Sequence, residues 1–305
     1  MSPWRGALIV GLIVVLALLP VLTSEVVIVQ GTDILIFALF ALSLNLLVGY
    51  AGMLSLGHAA FFAIGGYTAG LLVKHFDIPM LPALMAGPVL AALAAALIGY
   101  FCVRLTYAYF IMLSLAFGQL VFTVIWKWQS ATGGDDGLTG IMPHPALAGP
   151  IAYYYFVLAI VLVAAFALYR IGNSPFGRAL LSIKDNPRRA AFLGIHVRRV
   201  QLVAFIVAGA FAGVAGGLQA FYHRGMFPGS AHWILSADGF VAVCLGGANY
   251  FAGPIVGAAV LKLVSLVLPR LTEYWMFFLG IVILIIAIVR PAGLLSLIRR
   301  PSERT

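Results

Sequence analysis

Apolar residues along this chain come in long runs rather than in alternation, and the runs are separated by short polar or Gly/Pro-containing breaks. Ten such stretches stand out, at 6–22, 33–50, 55–73, 80–103, 107–126, 151–169, 201–222, 238–251, 254–269 and 273–290. A helix needs roughly 20 residues to cross the hydrocarbon of a bilayer. Backbone exposed to lipid must satisfy its own hydrogen bonds, which long unalternating runs do as helices. The pattern therefore predicts an all-α integral membrane protein of about ten transmembrane helices, forming a single transmembrane domain over residues 1–305.

Composition agrees with the pattern. Hydrophobic residues make up 63% of the chain, charged residues 9%, and the mean hydropathy is +1.10, leaving too little polar surface to cover a water-soluble core. The first run follows Arg5 and has the look of a signal peptide, but its exit reads LPVLTSE with no small-x-small cleavage site, so it is expected to be a retained span. Cys102 and Cys244 lie in different runs and suggest small buried hydrophobes rather than a disulfide framework.

The net charge of +9 is explained by topology better than by nucleic acid. Between Arg170 and Arg199 lie seven of the 18 Lys and Arg residues and one acid, Asp185. Placing both termini in the cytoplasm puts this loop, Arg104 and the tail arginines Arg290, Arg299, Arg300 and Arg304 on the inside. The outside then receives a nearly balanced set of charges, including Glu25, Lys74, Asp77, Lys127, Asp135 and Asp136.

Two breaks match one another. GYAGMLSLGH, Gly49 to His58, separates the second and third runs, and GGANYFAGPIVG, Gly246 to Gly257, separates the eighth and ninth. Gly- and Pro-interrupted segments in corresponding halves point to broken helices lining a transport path, with two inverted five-helix halves. Close packing of small residues is the other reading, and both stand at this stage.

The chemistry of energy supply is mostly missing. No acid falls well inside a run, Asp33 and Asp238 coming nearest, which speaks against an ion-coupled carrier. His58 is the most central titratable group, either a proton relay or a packed polar residue. There is no GxxxxGK[ST] and no Gly-Lys pair, and GGDDGLTG, Gly133 to Gly140, lacks both that lysine and the ligand spacing of a calcium loop. None of the six histidines stands at metal-ligand or acid-paired spacing within a helix. Any ATPase must be another chain.

The basic loop has internal structure of its own. Ser174-Pro175 and Asn186-Pro187 each place a capping residue before a proline, the signature of a helix start. The second helix is expected from Pro187 to about Leu193, ending at Gly194, with Ala190, Ala191 and Phe192 as an apolar knob beside Arg188 and Arg189. Such a tip fits a groove on a soluble partner. A solvated loop that binds lipid headgroups is the alternative.

At these residues the chain resembles the LivM-type permease subunits of ATP-binding cassette importers for branched-chain amino acids. The resemblance rests on ALSLNLLVGYAGMLSLGHAAFFAIGGYTAGLL (41–72), GGDDGLTGI (133–141), SPFGRALLSIKDNPRRAAFLGIHVRRVQLVAFIVAGAFAGVAGGL (174–218) and DGFVAVCLGGANYFAGPIVGA (238–258). It implies a bacterial inner-membrane pore shared with a second, homologous permease and driven by two cytoplasmic ATP-binding subunits. A periplasmic binding protein would supply substrate, and this chain would hold no cofactor of its own. By the same resemblance the loop 170–200 is a coupling loop, with Arg178, Asp185, Asn186, Arg188, Arg189, Ala190, Phe192 and Gly194 at the ATPase contact. Arg188 or Arg189 stands where related importers often carry an acid. Relatives also include importers resembling those for urea, short amides and aromatic acids, and kinship of fold does not choose among cargoes. Polar residues on otherwise apolar helices, Asn45, Ser55, His58, Tyr67 and Gln119, are candidates for the translocation path, since each must find a partner or a water-filled route.

Overall fold

The computed structural model describes residues 24–274 continuously and, outside them, only positions 16, 19, 20, 277, 278, 280, 281, 284, 288 and 293–297; residues 270, 271 and 297 are described by backbone alone. The expected spans at 6–22 and 273–290 lie largely outside the described residues.

Helix α1 (Glu25–Asn45) continues through a π-helical turn, Leu46–Ala51, so that 27 residues form one apolar rod. Gly52 then takes a left-handed φ of 68° and the chain runs non-helically to Gly57 before α2 (His58–Phe76) begins. Next come α3 (Met80–Cys102), α4 (Ala108–Lys127) and a loop containing strand β1 (Leu138–Thr139). After α5 (Pro150–Gly172) two short helices follow, α6 (Pro175–Asp185) and α7 (Pro187–Phe192). The chain returns through α8 (Val197–Tyr222), strand β2 (Gly225–Met226), α9 (Trp233–Gly246) and α10 (Gly253–Leu271).

Among the described residues, six helices are long and apolar enough to cross a membrane: α1 with its π turn, α2, α3, α4, α5 and α8. This is the multi-pass, all-helical architecture the runs predict, with two local differences. The second span begins at Glu25 rather than 33, because apolar Val26, Val27, Ile28 and Val29 extend the helix past Asp33. The expected span at 238–251 is instead the 14-residue α9, about 21 Å long and short of the ~30 Å hydrocarbon core. Gly246 and Gly247 end it, and the remaining residues of that run form the turn into α10.

The core lies where α8 packs on α2 and α3. Small residues face one another there: a Cβ on Gly216 would meet the Phe62 carbonyl, one on Gly65 the Gly213 backbone, and one on Gly213 would sit at 2.5 Å from Ala91 Cβ. Without a hydrophobic drive between helices in lipid, such close backbone approach is what supplies the attraction. Edge-to-face rings fill the remaining space, Phe61 against Phe205 at 5.3 Å and Phe110 against Phe205 at 5.9 Å.

At the end of the bundle away from α6 and α7, β1 pairs antiparallel with β2, Leu138 opposite Met226 and Thr139 opposite Gly225. The Arg224 carbonyl accepts from Gly140 and Ile141 N–H, each at 3.1 Å. The loops 128–149 and 223–232 are thus a single cap. Trp126 and Trp128 are exposed beside it, while the Tyr153 hydroxyl is buried and donates to the Leu218 carbonyl at 2.6 Å.

Candidate functional site

The two breaks meet. A Cβ on Gly49, in the π turn of α1, would collide with the Ala248 carbonyl of the turn between α9 and α10. Around this junction Tyr50 packs on Gly172 of α5, and Tyr169 lies edge-on to Phe251 at 5.3 Å. From the junction the chain enters the bundle as the non-helical segment Met53–Gly57, in which Met53, Ser55 and Gly57 are buried. Irregular backbone at membrane depth is tolerated where protein encloses it or where it lines a cavity. Its far end is tight: a Cβ on Gly57 would strike the Ser114 carbonyl of α4.

Four of the five polar residues singled out for a path share one property. Among the described residues, the buried side-chain polar atoms without a hydrogen-bond partner are Asn45 Oδ1, Ser55 Oγ, His58 Nδ1 and Tyr67 Oη. Buried polar groups are nearly always paired, so four orphans among these five positions are informative. Asn45 ends α1 and borders a narrow recess with Leu42, Leu46, Tyr50, Leu168 and Phe251. Ser55 sits in the non-helical segment and His58 opens α2. Tyr67 lies nine residues further, about 13 Å along α2. His58 is half satisfied, its Nε2 sharing a 2.9 Å hydrogen bond with Ser43 Oγ while its ring lies between Phe40 and Phe61. The Ala59 N–H donates to Ser236 Oγ at 2.8 Å, tying the start of α2 to the first turn of α9. Gln119 stands apart, exposed on the outer face of α4.

At the basic end of the bundle, next to the junction of the two breaks, the loop folds into α6 and α7. Ser174 Oγ accepts from Gly177 N–H at 3.4 Å and Asn186 Oδ1 from Arg189 N–H at 2.9 Å, capping both helices. Gly194 at φ 83° ends the α7 unit. Helix α6 buries Gly177, Leu180 and Ile183 against the bundle and exposes Arg178 and Asp185. In α7, Arg188 and Arg189 are exposed and Phe192 is 92% exposed, with Leu193 at 74% beside it. Ala190 does not join this tip: it is buried, 1% exposed, on the inner side of α7, because the helical turn that points Phe192 outward turns Ala190 inward. Leu193 takes its place in the knob.

Sequence reasoning passed over an ion pair. Lys262 Nζ lies 2.7 Å from Asp33 Oδ2, joining the middle of α10 to α1, and stands 4.9 Å from the centre of the Phe37 ring. Asp33 sits about 12 Å along α1, deeper than a span starting at residue 33 implies. The signal was present as a lysine inside an apolar run.

The comparisons with known proteins bear on this arrangement. Residues 26–287 match the family described as "Branched-chain amino acid transport system / permease component". The chain is 31% identical over 95% of its length, and 75% of the relative's, to the high-affinity branched-chain amino acid transport system permease protein LivM of Escherichia coli. It is 30% identical over the same shares to the LivM protein of Salmonella typhimurium. It is also 24% identical, over 85% of this chain and 91% of the relative, to the LivH permease protein of the same Escherichia coli system. No solved structure matches the chain.

Proposed function

The chain belongs to the branched-chain amino acid transport permease family, and from that premise we propose that it forms half of the translocation pore of an ATP-binding cassette importer for branched-chain amino acids. The other half is a homologous permease, as the likeness to both LivM and LivH supports. Two ATP-binding subunits dock on the basic end, which makes that end cytoplasmic and agrees with cytoplasmic termini in a bacterial inner membrane. A periplasmic binding protein meets the cap formed by β1 and β2. ATP is bound by the partner subunits, so this chain holds no cofactor, and neither nucleic acid nor any chemistry of its own enters the cycle. The two broken regions are read as matching parts of inverted five-helix halves.

The observation that carries this reading is the capped α6–α7 unit, which exposes an apolar tip, Phe192 and Leu193, beside the exposed Arg188 and Arg189. Adjacent exposed Phe192 and Leu193, rimmed by basic side chains, form the kind of apolar surface that a partner covers. Arg178, Asp185, Asn186, Ala190 and Gly194 hold or flank that helix. Translocation follows Asn45, Ser55, His58 and Tyr67, with Gln119 facing the partner permease. ATP-driven approach of the two docked subunits rocks the spans and alternately opens the two ends.

Tagged chain purified in mild detergent is expected to bring with it one related permease and two ATP-binding chains, and the complex to import L-leucine with ATP in liposomes supplied with the binding protein. Cargo resembling urea, a short amide or an aromatic acid is distinguished in the same assay by competition. The Asp33–Lys262 pair favours a second reading, a gradient-driven carrier, because charges inside a membrane commonly mark ion pathways. Purification of the chain alone, with uptake driven by a pH gradient, would establish that reading instead. Ser55→Trp is expected to abolish uptake, and because Ser55 is fully buried assembly with the ATP-binding subunits is compared with wild type before uptake is read. Uptake by Ser55→Trp at more than about half the wild-type rate places the path elsewhere.

A further inference from the structure

Among the described residues, Lys184, on α6, is the one side chain that the hydrogen bonds place on both breaks at once. Its Nζ donates to the Gly49 carbonyl in the π turn of α1 at 2.7 Å and to Asn249 Oδ1 in the α9–α10 turn at 3.3 Å. Its stem lies along Gly52, where a Cβ would come within 2.9 Å of Lys184 Cγ. The ammonium stands two residues before Asn186, whose side chain caps α7, and eight before the exposed Phe192.

We propose that Lys184 is the latch of the inner gate, a positioning residue that holds the two broken helices together at the cytoplasmic end and releases them when α6 and α7 move. This rests on the importer reading given above.

Three physical points support the assignment. A π turn widens the backbone hydrogen-bond spacing, and the carbonyl of Gly49 within it takes its short bond from a side chain. An ammonium has three donors and forms charge-assisted bonds, so one group can hold backbone from one half and a side chain from the other. Both partners lie in Gly-rich segments, Gly49 and Gly52 on one side and Gly246, Gly247 and Gly253 on the other, which can absorb dihedral change once the latch is withdrawn. Movement of the α7 tip by a bound ATPase therefore reaches both breaks through a single atom. The Asn186 cap makes α6 and α7 move together.

Two readouts on the complete importer in liposomes test this, with Lys184→Met keeping most of the stem and removing the charge. The first is L-leucine imported per ATP hydrolysed, expected to fall about tenfold in Lys184→Met and to be largely kept in Lys184→Arg, as loss of a charge-assisted hydrogen bond predicts. The second is read at rest, in a Cys102→Ala/Cys244→Ala background carrying Ser55→Cys, and needs no transport. A charged maleimide added from the ATPase side should modify Ser55→Cys about tenfold faster when Lys184→Met is present. Wild-type values of both readouts in Lys184→Met overturn the proposal. If the Lys184→Met complex fails to assemble, both readouts are taken on Lys184→Gln, and wild-type values there overturn the proposal in the same way. If the wild-type complex imports no leucine, the importer reading falls for that cargo, and the labelling arm still decides the latch.

Discussion

Phe192→Asp is expected to abolish recovery of the ATP-binding subunits with this chain. The side chain is 92% exposed in the isolated protein, so the substitution removes nothing from the chain's own packing. Its thermal midpoint should stay close to wild type, surface changes away from special features typically falling within about 0.5 kcal/mol. In the assembled importer the same position would carry a bare carboxylate into an apolar groove. Buried aromatic anchors at interfaces contribute roughly 2–4 kcal/mol, and an unpaired charge adds its desolvation cost. A loss of 2 kcal/mol is about a 30-fold drop in affinity. Pull-down of tagged variant against wild type, with Phe192→Leu retaining most of the binding, checks this. Undiminished recovery of the ATPases with Phe192→Asp would leave the exposed tip without its assigned partner and return the loop to a lipid-facing role.

Gly216→Ala is expected to be among the most damaging small substitutions in the bundle. A Cβ there would be driven into the Phe62 carbonyl oxygen of α2, a backbone atom that no rotamer change can move. Helices α2 and α8 would have to separate along an interface that also holds Gly65 against the Gly213 backbone, beside α3, where a Cβ on Gly87 would lie 2.7 Å from the Gly65 carbonyl oxygen. Overpacking typically costs about 1–3 kcal/mol and occasionally more, and a rigid backbone clash belongs at the upper end. Against a typical stability of about 5–15 kcal/mol, that is enough to lower the yield of monodisperse protein severely. Gly229→Ala is the control, since nothing lies within 4 Å of a Cβ at that position. Equal thermal midpoints for the two variants would mean that α2 and α8 sit further apart than described.

Several local features were legible because their causes are local. Ser174-Pro175 and Asn186-Pro187 predict helix starts from capping chemistry alone, and the structure has α6 and α7 beginning at those prolines. Gly194 predicts a stop because a left-handed φ suits glycine, and its φ is 83°. The polar residues Asn45, Ser55, His58 and Tyr67 stood out against apolar surroundings, and their atoms include the orphaned buried ones. Gln119 stood out equally and lies on the exposed face, because polarity in a run does not say which side of a helix a residue occupies.

What escaped was whatever depends on distance through space. Lys262 reads as an anomaly in an apolar run until Asp33, 229 residues away in the chain, is seen 2.7 Å from it. Lys184 counts in the sequence as one of seven basic residues of a loop, and nothing in its neighbours distinguishes it. Ala190 and Phe192 are both apolar and two residues apart, yet one is buried and the other exposed. Hydropathy, capping and glycine placement, acting over a few residues, determined by themselves that this is a multi-pass helical membrane protein with two interruptions and a structured basic loop. Only the tertiary structure decided that the interruptions touch and that Lys184 spans them. Those outcomes depend on how helices separated by up to two hundred residues approach one another, which small-residue packing sets and local preference does not.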